Sequence, residues 1–161
     1  NHLGQPGSGT HGYNEGRGWT GVLTKALDRE AIYDAIRTRR CYATTGAKML
    51  LFVALGDHLM GEEVAGWTGD RTFLIRVAGT HLIERVEVIR NGEVVYTLEP
   101  DAYVVETTFC DSDPLGPMFQ APAFPGLAPF CYYYVRITQR DRNQAWSSPI
   151  WISSGDQTRS S

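Results

Sequence analysis

The sequence has few cysteines, and their spacing matches no known framework. Its 161 residues include Cys41, Cys110 and Cys131, with no C-x-x-C pair and no zinc-binding spacing. An odd number argues against a complete set of disulfides, so we expect buried free thiols. A Cys110–Cys131 bond is the alternative in an oxidising compartment. Folding therefore has to rely on a hydrophobic core rather than on cross-links or a structural metal.

Long apolar runs and an excess of positive charge are also missing. The longest apolar run, 49–55, is far shorter than the roughly 18 residues of a membrane span, and the N-terminus lacks a signal pattern. Fifteen basic residues against 18 acidic ones give a net charge of −3, with both signs interspersed. Nucleic-acid binding requires a basic surface that such a chain does not offer. We expect neither a membrane nor a nucleic acid as a partner.

The sequence does contain enough apolar material for one globular domain. Hydrophobic residues make up 42% and charged residues 20% of the chain, which excludes a disordered protein. The beginning differs, because seven glycines and few aliphatic side chains lie between Gly4 and Gly21. We therefore divide the chain into a Gly-rich lead-in at 1–27, a helix-plus-sandwich domain at 28–153 and a flexible tail at 154–161.

A short helix is predicted directly after the lead-in. Apolar residues three and four apart, including Ile32 and Ile36, give the segment 29–39 one apolar face, and Asp28 suits the N-cap. An isolated helix of about eleven residues is marginal in water. We therefore expect Ile32 and Ile36 to be buried against strands.

Beyond Gly46 the pattern is that of β-strands. Asn91-Gly92 lies between two β-rich runs and predicts a type I′ hairpin turn. Pro149 places the last strand at an edge or a bulge, and five prolines make 113–129 a long surface loop. The other predicted strands lie at 49–55, 72–77, 103–109, 131–139 and 145–152. The expected fold is mainly β, an immunoglobulin-like antiparallel β-sandwich preceded by a Gly-rich extended segment and one short α-helix.

Residue types that carry chemistry are scattered. The four histidines show no metal-ligand spacing, so isolated surface histidines are expected; they are His2, His11, His58 and His81. Asp111 and Asp113 could offer oxygens to calcium, but the glycine and distal glutamate of a calcium loop are missing. Glu62 and Glu63 are adjacent, and on a strand they would point to opposite faces, which excludes a paired acid and base.

Two further patterns have an ordinary structural explanation. The glycine-rich segment 7–12 could form an anion-binding nest, but no phosphate-loop lysine follows, so a flexible loop is favoured. Five aromatic residues near the end of the chain could stack on a sugar ring; they are Tyr132, Tyr133, Tyr134, Trp146 and Trp151. We favour core packing for them, because the inner faces of a sandwich need such bulk.

Several blocks in combination resemble a known family. They are N-H-L-G-Q-P-G at 1–7, R-R-C-Y-A-T-T-G-A at 39–47, R-N-G at 90–92 and A-W-S-S-P-I-W at 145–151. Together they resemble the C-terminal region of an uncharacterised family related to the PHP (polymerase and histidinol phosphatase) metal-dependent hydrolases. The resemblance implies an upstream catalytic domain of the same protein as partner, with divalent metal ions in the full-length parent. His2 would match the last metal ligand of that domain.

The resemblance implies an accessory C-terminal β-sandwich module of a PHP-like metal-dependent phosphohydrolase. A catalytic metal needs about three protein ligands and an open position, so with His2 alone we expect no catalytic residue and no cofactor in the isolated chain. One alternative is a carbohydrate- or protein-binding β-sandwich module, which a contiguous aromatic patch outside the sandwich would favour. Another is a purely structural domain packing on the catalytic barrel, which a large apolar face near the helix would favour.

Overall fold

The computed structural model describes residues 18–155, which form eleven strands and one short α-helix. The strands are β1 (Trp19–Val22), β2 (Cys41–Thr44), β3 (Leu50–Leu55), β4 (His58–Leu59), β5 (Glu63–Ala65), β6 (Arg71–Arg90), β7 (Glu93–Leu98), β8 (Ala102–Asp111), β9 (Phe130–Gln139), β10 (Gln144–Ser147) and β11 (Ile150–Ser153). The helix is α1 (Arg29–Arg37), and a 3₁₀ turn covers Gly116–Met118.

Strand β6 belongs to both layers of the sandwich. Its first half, 71–78, pairs with β3 and β8, and its second half, 83–90, pairs with β7 and β9. Between the halves, a Cβ at Gly79 would lie 2.6 Å from Gln139 Oε1, so only glycine fits there. The buried Gln139 side chain accepts hydrogen bonds from the backbone N–H groups of Thr80 and His81 at 2.8 and 3.1 Å. It thereby satisfies donors at the point where the β6 ladder changes partner.

The hydrophobic core lies between the two layers. Alternate residues of β6 and β9 point inward, and Phe73 of β6 contacts Tyr133 of β9 with ring centroids 4.8 Å apart. Those two residues are not sheet neighbours, because β9 pairs with the second half of β6. The contact therefore crosses the sandwich.

The expected immunoglobulin-like antiparallel β-sandwich with one short helix is confirmed. The Asn91-Gly92 turn has positive φ at both residues, +52° and +91°, as a type I′ turn requires. The segment 113–129 is a loop whose regular structure is the single 3₁₀ turn. Near Pro149 the predicted last strand is broken into β10 and β11, and both parts pair with β9.

Four strands were not predicted: β1, β2, β4 and β5. Strand β1 lies within the expected lead-in and pairs with β2, so residues of 19–22 belong to the sandwich. Strands β4 and β5 are only two and three residues long, too short for an alternating pattern to be recognised. Strand β5 also pairs in parallel with β11, the one parallel pair in the described part of the sheet.

The expected burial of Ile36 is wrong. The helix is capped by Asp28, whose Oδ1 accepts from Ala31 N–H at 2.8 Å, as predicted. However, Ala35 is 2% exposed whereas Ile36 is 54% exposed and Ile32 is half-buried. The helix thus packs on its small residue, and Ile36→Ala should cost much less than the about 2–5 kcal/mol of a buried isoleucine.

Substitution of Gly92 tests the hairpin. A Cβ at this position would meet nothing closer than the Tyr132 hydroxyl at 3.8 Å, so space does not limit the residue but its φ of +91° does. Gly92→Val should lower the free energy of unfolding by about 1–3 kcal/mol, because β-branched residues resist positive φ. Urea denaturation measures the loss, and Gly92→Asn should lose less. Equal stability of both variants and the parent would contradict the turn.

Candidate functional site

Two sequence blocks that are about 100 residues apart lie side by side in the sheet. Strand β2 comes from the R-R-C-Y-A-T-T-G-A block, and strand β10 from the A-W-S-S-P-I-W block. They are antiparallel neighbours, with Thr44 opposite Ala145 and Tyr42 opposite Ser147. Beyond the strand, Ser148 N–H donates to the carbonyl oxygen of Cys41 at 3.1 Å. Two of the four blocks that carry the family resemblance therefore form one structural unit.

Arg39 ties this unit together at the end of the helix. It has a φ of +59° at a position where glycine usually ends a helix. Its Nε donates to the carbonyl oxygen of Gly61 at 2.9 Å, and Nη2 donates to Glu63 Oε1 at 2.8 Å. Its guanidinium lies 5.0 Å from the ring centroid of Trp151. These contacts connect the end of α1 with β5 and β11, and we infer that they offset the strained backbone.

An aromatic surface covers the outer face of β9 and its neighbours. Tyr132 and Tyr134 have ring planes within 10° of parallel and centroids 6.5 Å apart, and Trp151 lies opposite Tyr132 in the strand pairing. All of its residues are half-buried: Phe130, Tyr132, Tyr134, Trp146 and Trp151. Core packing is thus correct for Tyr133, which is 1% exposed, and wrong for the other four aromatic candidates. The reason is strand alternation, which turns Tyr133 inward and its neighbours outward.

A cavity lies at one end of this aromatic surface. It has a volume of about 290 Å³ and is lined by Phe130 and Trp151, together with the carboxylate of Glu63, Ser153 and the loop residues Leu127 and Ala128. Glu63 is 70% exposed, and its Oε1 is bound to Arg39. The cavity therefore combines ring faces with hydrogen-bonding groups, the usual composition of a small-molecule site.

A buried cluster of charges lies where β6, β8 and β9 meet. Asp111 is 4% and Arg71 2% exposed, and Arg71 Nη2 lies 3.0 Å from Asp111 Oδ1. Asp111 Oδ2 accepts from Arg90 Nη1 and from the Tyr133 hydroxyl, both at 2.7 Å. Arg90 Nη1 also donates to Asp113 Oδ2 at 2.9 Å. Asp111 and Asp113 thus bind arginines, and this is what the structure shows in place of the considered calcium site.

The pKa values in the cluster follow from these contacts. Burial alone would raise the pKa of Asp111, but hydrogen bonds from Tyr133, Asp113 N–H and Arg90, with the charge of Arg71, lower it. Burial raises the pKa of the Tyr133 hydroxyl, and its hydrogen bond to Asp111 adds to the effect. Asp111 is therefore held as a carboxylate and Tyr133 as a neutral donor. Each arginine of the cluster pairs with a carboxylate, so the arrangement is that of a structural ion-pair network.

Sequence reasoning missed Arg71, although a signal was present. Arg71 is in phase with the inward-pointing residues Phe73, Ile75 and Val77 of the same strand. A charged residue in the buried register of a strand needs a partner of opposite charge. That argument could have directed attention from Arg71 to Asp111.

The remaining titratable candidates lie apart from one another. His58 Nδ1 is 3.1 Å from Glu62 Oε2, and Glu63 binds Arg39, so the adjacent glutamates have separate partners. His81 lies beside Tyr103, with ring centroids 6.3 Å apart. Within residues 18–155 no group of three or more His, Cys, Asp or Glu side chains is arranged to hold a metal ion. His2, His11 and the 7–12 nest lie outside the described residues.

The three cysteines differ in burial. All three thiols are unpaired, but only Cys131 is buried, and burial raises its pKa; Cys110 is exposed and Cys41 lies between. The expectation of buried thiols thus holds for Cys131 alone. In the described part of the chain, the helix is too short and too polar to cross a membrane.

Comparison with known proteins relates the chain to larger sequences. Residues 7–66 match the model of the family described as "Protein of unknown function (DUF3604)". An uncharacterized protein of Chlamydia pneumoniae is 39% identical over 141 residues, and one of Chlamydia muridarum is 36% identical over 140. Each alignment covers 84% of this chain and 22% of the relative. The chain therefore spans 22% of the length of the curated relatives it matches.

One solved structure gives a weaker match. The crystal structure of an engineered protein is 20% identical, and the match covers 65% of this chain and 20% of that one. Its TM-score is 0.34, which is too low to relate the two folds.

The buried charge cluster predicts acid sensitivity. Asp111→Asn should lower the free energy of unfolding by about 3–5 kcal/mol at neutral pH, because it leaves Arg71 and Arg90 without their carboxylate. The folded-state pKa of Asp111 is lowered, so its stabilisation is complete above the unfolded-state pKa of about 3.9 and is lost as pH falls through the folded-state value. The difference between parent and variant should therefore shrink in acid. Urea denaturation over a pH series measures it, with the exposed Asp57→Asn as control.

Proposed function

We propose that the chain is an accessory C-terminal β-sandwich module of a longer, PHP-like metal-dependent hydrolase, and that it is inactive alone. The single observation that carries the proposal is the pairing of β2 with β10, since it joins the two most distinctive blocks of the resemblance. If the two blocks had separate functions, they would not need to be neighbours in the sheet. The region that matches this chain makes up only 22% of the relative's length, as is expected if the chain is a module of a longer protein.

The chemistry belongs to the rest of the longer protein. Phosphoester hydrolysis is the reaction class that the family resemblance favours, and its divalent metal would activate water. The donor set of residues 18–155 does not fit such a metal, because no three possible ligands come together there. In this proposal the chain contributes His2 as one ligand, and its sandwich supports the catalytic domain from outside the site.

A comparison of two proteins tests this proposal. The 161-residue chain should contain no stoichiometric metal and should not hydrolyse a generic phosphoester, whereas the longer protein should do so in a chelator-sensitive way. His2→Ala in the longer protein should reduce metal content and lower turnover by orders of magnitude, because it removes a ligand of the metal. Elemental analysis and a phosphoester assay on both proteins measure these effects, with His81→Ala as a control histidine. Chelator-sensitive turnover by the short chain would refute the proposal.

A second candidate is a carbohydrate-binding module, which the aromatic surface and its adjoining cavity favour. Ring faces bind the C–H faces of sugars, and Glu63 and Ser153 could accept or donate hydrogen bonds to hydroxyl groups. Because Trp146 and Trp151 lie on this surface, titration with cello-, chito- and xylo-oligosaccharides should change tryptophan fluorescence saturably. Trp151→Ala should remove the response while Trp67→Ala, in the loop before β6, should keep it. No saturable change with any of the three would rule out this candidate for those sugars.

A further inference from the structure

An apolar groove runs beside the helix and over β3, β6 and β8. It consists of two adjoining cavities of about 330 and 510 Å³, which share Leu23 and Phe52 as lining residues. One cavity extends under α1 to Ala31 and Ala35, and the other extends over β3, β6 and β8 to Leu50 and Val104. We call the two together the helix groove. Its walls belong to separate elements, so the groove is a feature of the folded chain and not of one strand.

Large apolar side chains are exposed along the helix groove. Leu50 and Val104 line it and are 66% and 70% exposed, and Leu23 and Phe52 beside them are half-buried. Single exposed apolar residues are ordinary, but several around one apolar groove mark an interaction surface. The helix lies beside this groove, and Ala35 is its one fully buried residue, so little apolar packing within the described chain stabilises it.

Arg40 adds a hydrogen-bond donor to the lining of the groove. Its side chain lines the cavity under α1, and its Nη1 lies 3.7 Å from Asp34 Oδ2. Its Nε is buried and has no hydrogen-bond partner among residues 18–155. A buried donor without an acceptor is rare in folded proteins and needs an explanation. The Arg40 side chain as a whole is 31% exposed, so an occupant of the groove could bring a carbonyl or carboxylate oxygen to the exposed part of its guanidinium.

We propose that the helix groove docks a segment of the longer protein that lies outside these 161 residues, with apolar side chains over Leu23 and Phe52 and an acceptor oxygen at Arg40. This inference rests on the proposed function, because it assumes that the chain works as a module. The relatives support the choice of occupant, since most of their length lies outside the region that they share with this chain. The Gly-rich segment 1–17 does not suit the groove, because Leu3 is its one aliphatic residue.

Charge substitutions on the groove test this docking. Leu50→Glu and Val104→Glu change exposed residues that line the groove, so in the 161-residue chain they should shift the melting temperature by no more than about 2 °C. In the longer protein the same changes should separate the module, so that calorimetry records two transitions and the second matches the isolated chain. Phe124→Glu is the control, because Phe124 is 72% exposed in the loop between β8 and β9 and should leave the longer protein unchanged.

Arg40→Met should have opposite effects in the short chain and in the longer protein. In the short chain it removes a buried unpartnered donor and should leave the melting temperature equal or raise it, whereas in the longer protein it should weaken docking. Unchanged unfolding of the longer protein with Leu50→Glu, Val104→Glu and Arg40→Met would overturn the inference. Light scattering that shows a dimer of the short chain, dissociated by Leu50→Glu, would also overturn it in favour of a second copy.

The outcome is separable from that of the proposed function. If the longer protein hydrolyses phosphoesters with its metal but ignores these substitutions, the docking surface is wrong and the function stands. If the substitutions separate the module but no hydrolysis is found, the docking stands and the assigned chemistry fails.

Discussion

The whole sandwich depends on one strand that serves two layers. Strand β6 is 20 residues long, and each half pairs with different neighbours. A strand can change layers only if the backbone donors at the change are satisfied, and here the buried Gln139 amide oxygen accepts from Thr80 and His81. Gly79 makes room for that amide. A hydrophobic residue at 139 would leave the N–H groups of Thr80 and His81 without an acceptor. The bend in β6 therefore depends on a polar side chain within the core.

Both ends of β6 are held by ion pairs. Arg71 begins the strand and Arg90 ends it, and both bind Asp111 at the end of β8. Because β6 runs through both layers, this carboxylate connects one end of the first layer with the far end of the second. Arg71 also donates to the carbonyl oxygen of Asp113, at the start of the proline-rich loop. The loop therefore leaves the sandwich from a fixed point, although little of it has regular structure.

Structure that depends on neighbouring residues in the chain was predictable from the sequence, whereas contacts between distant elements were not. Asn91-Gly92 and Asp28 act on residues within three positions, so the hairpin and the helix start follow directly from local chemistry. The orientation of Ile36 depends on which side of the helix meets β1, and no periodicity specifies that choice. Alternation around Tyr133 was visible, but the sequence does not say which of two faces is the core. Arg39 was missed because its role arises from Gly61, Glu63 and Trp151, which lie on other elements.

Arg39 and Arg40 are adjacent, yet their side chains have different tasks, and this difference bears on what the module does. Arg39 uses its donors within the chain, on Gly61 and Glu63, and stacks on Trp151. Arg40 has a buried Nε without an acceptor in the described chain and faces the helix groove. After the turn that follows α1, the Arg39 guanidinium points toward Glu63 and Trp151, and the Arg40 side chain points toward Asp34 and the helix groove. One arginine thus fixes the unit to the sandwich, and the other is the group that the proposed docking would use. Loss of Arg39 should therefore damage folding, whereas under that proposal loss of Arg40 should damage only association.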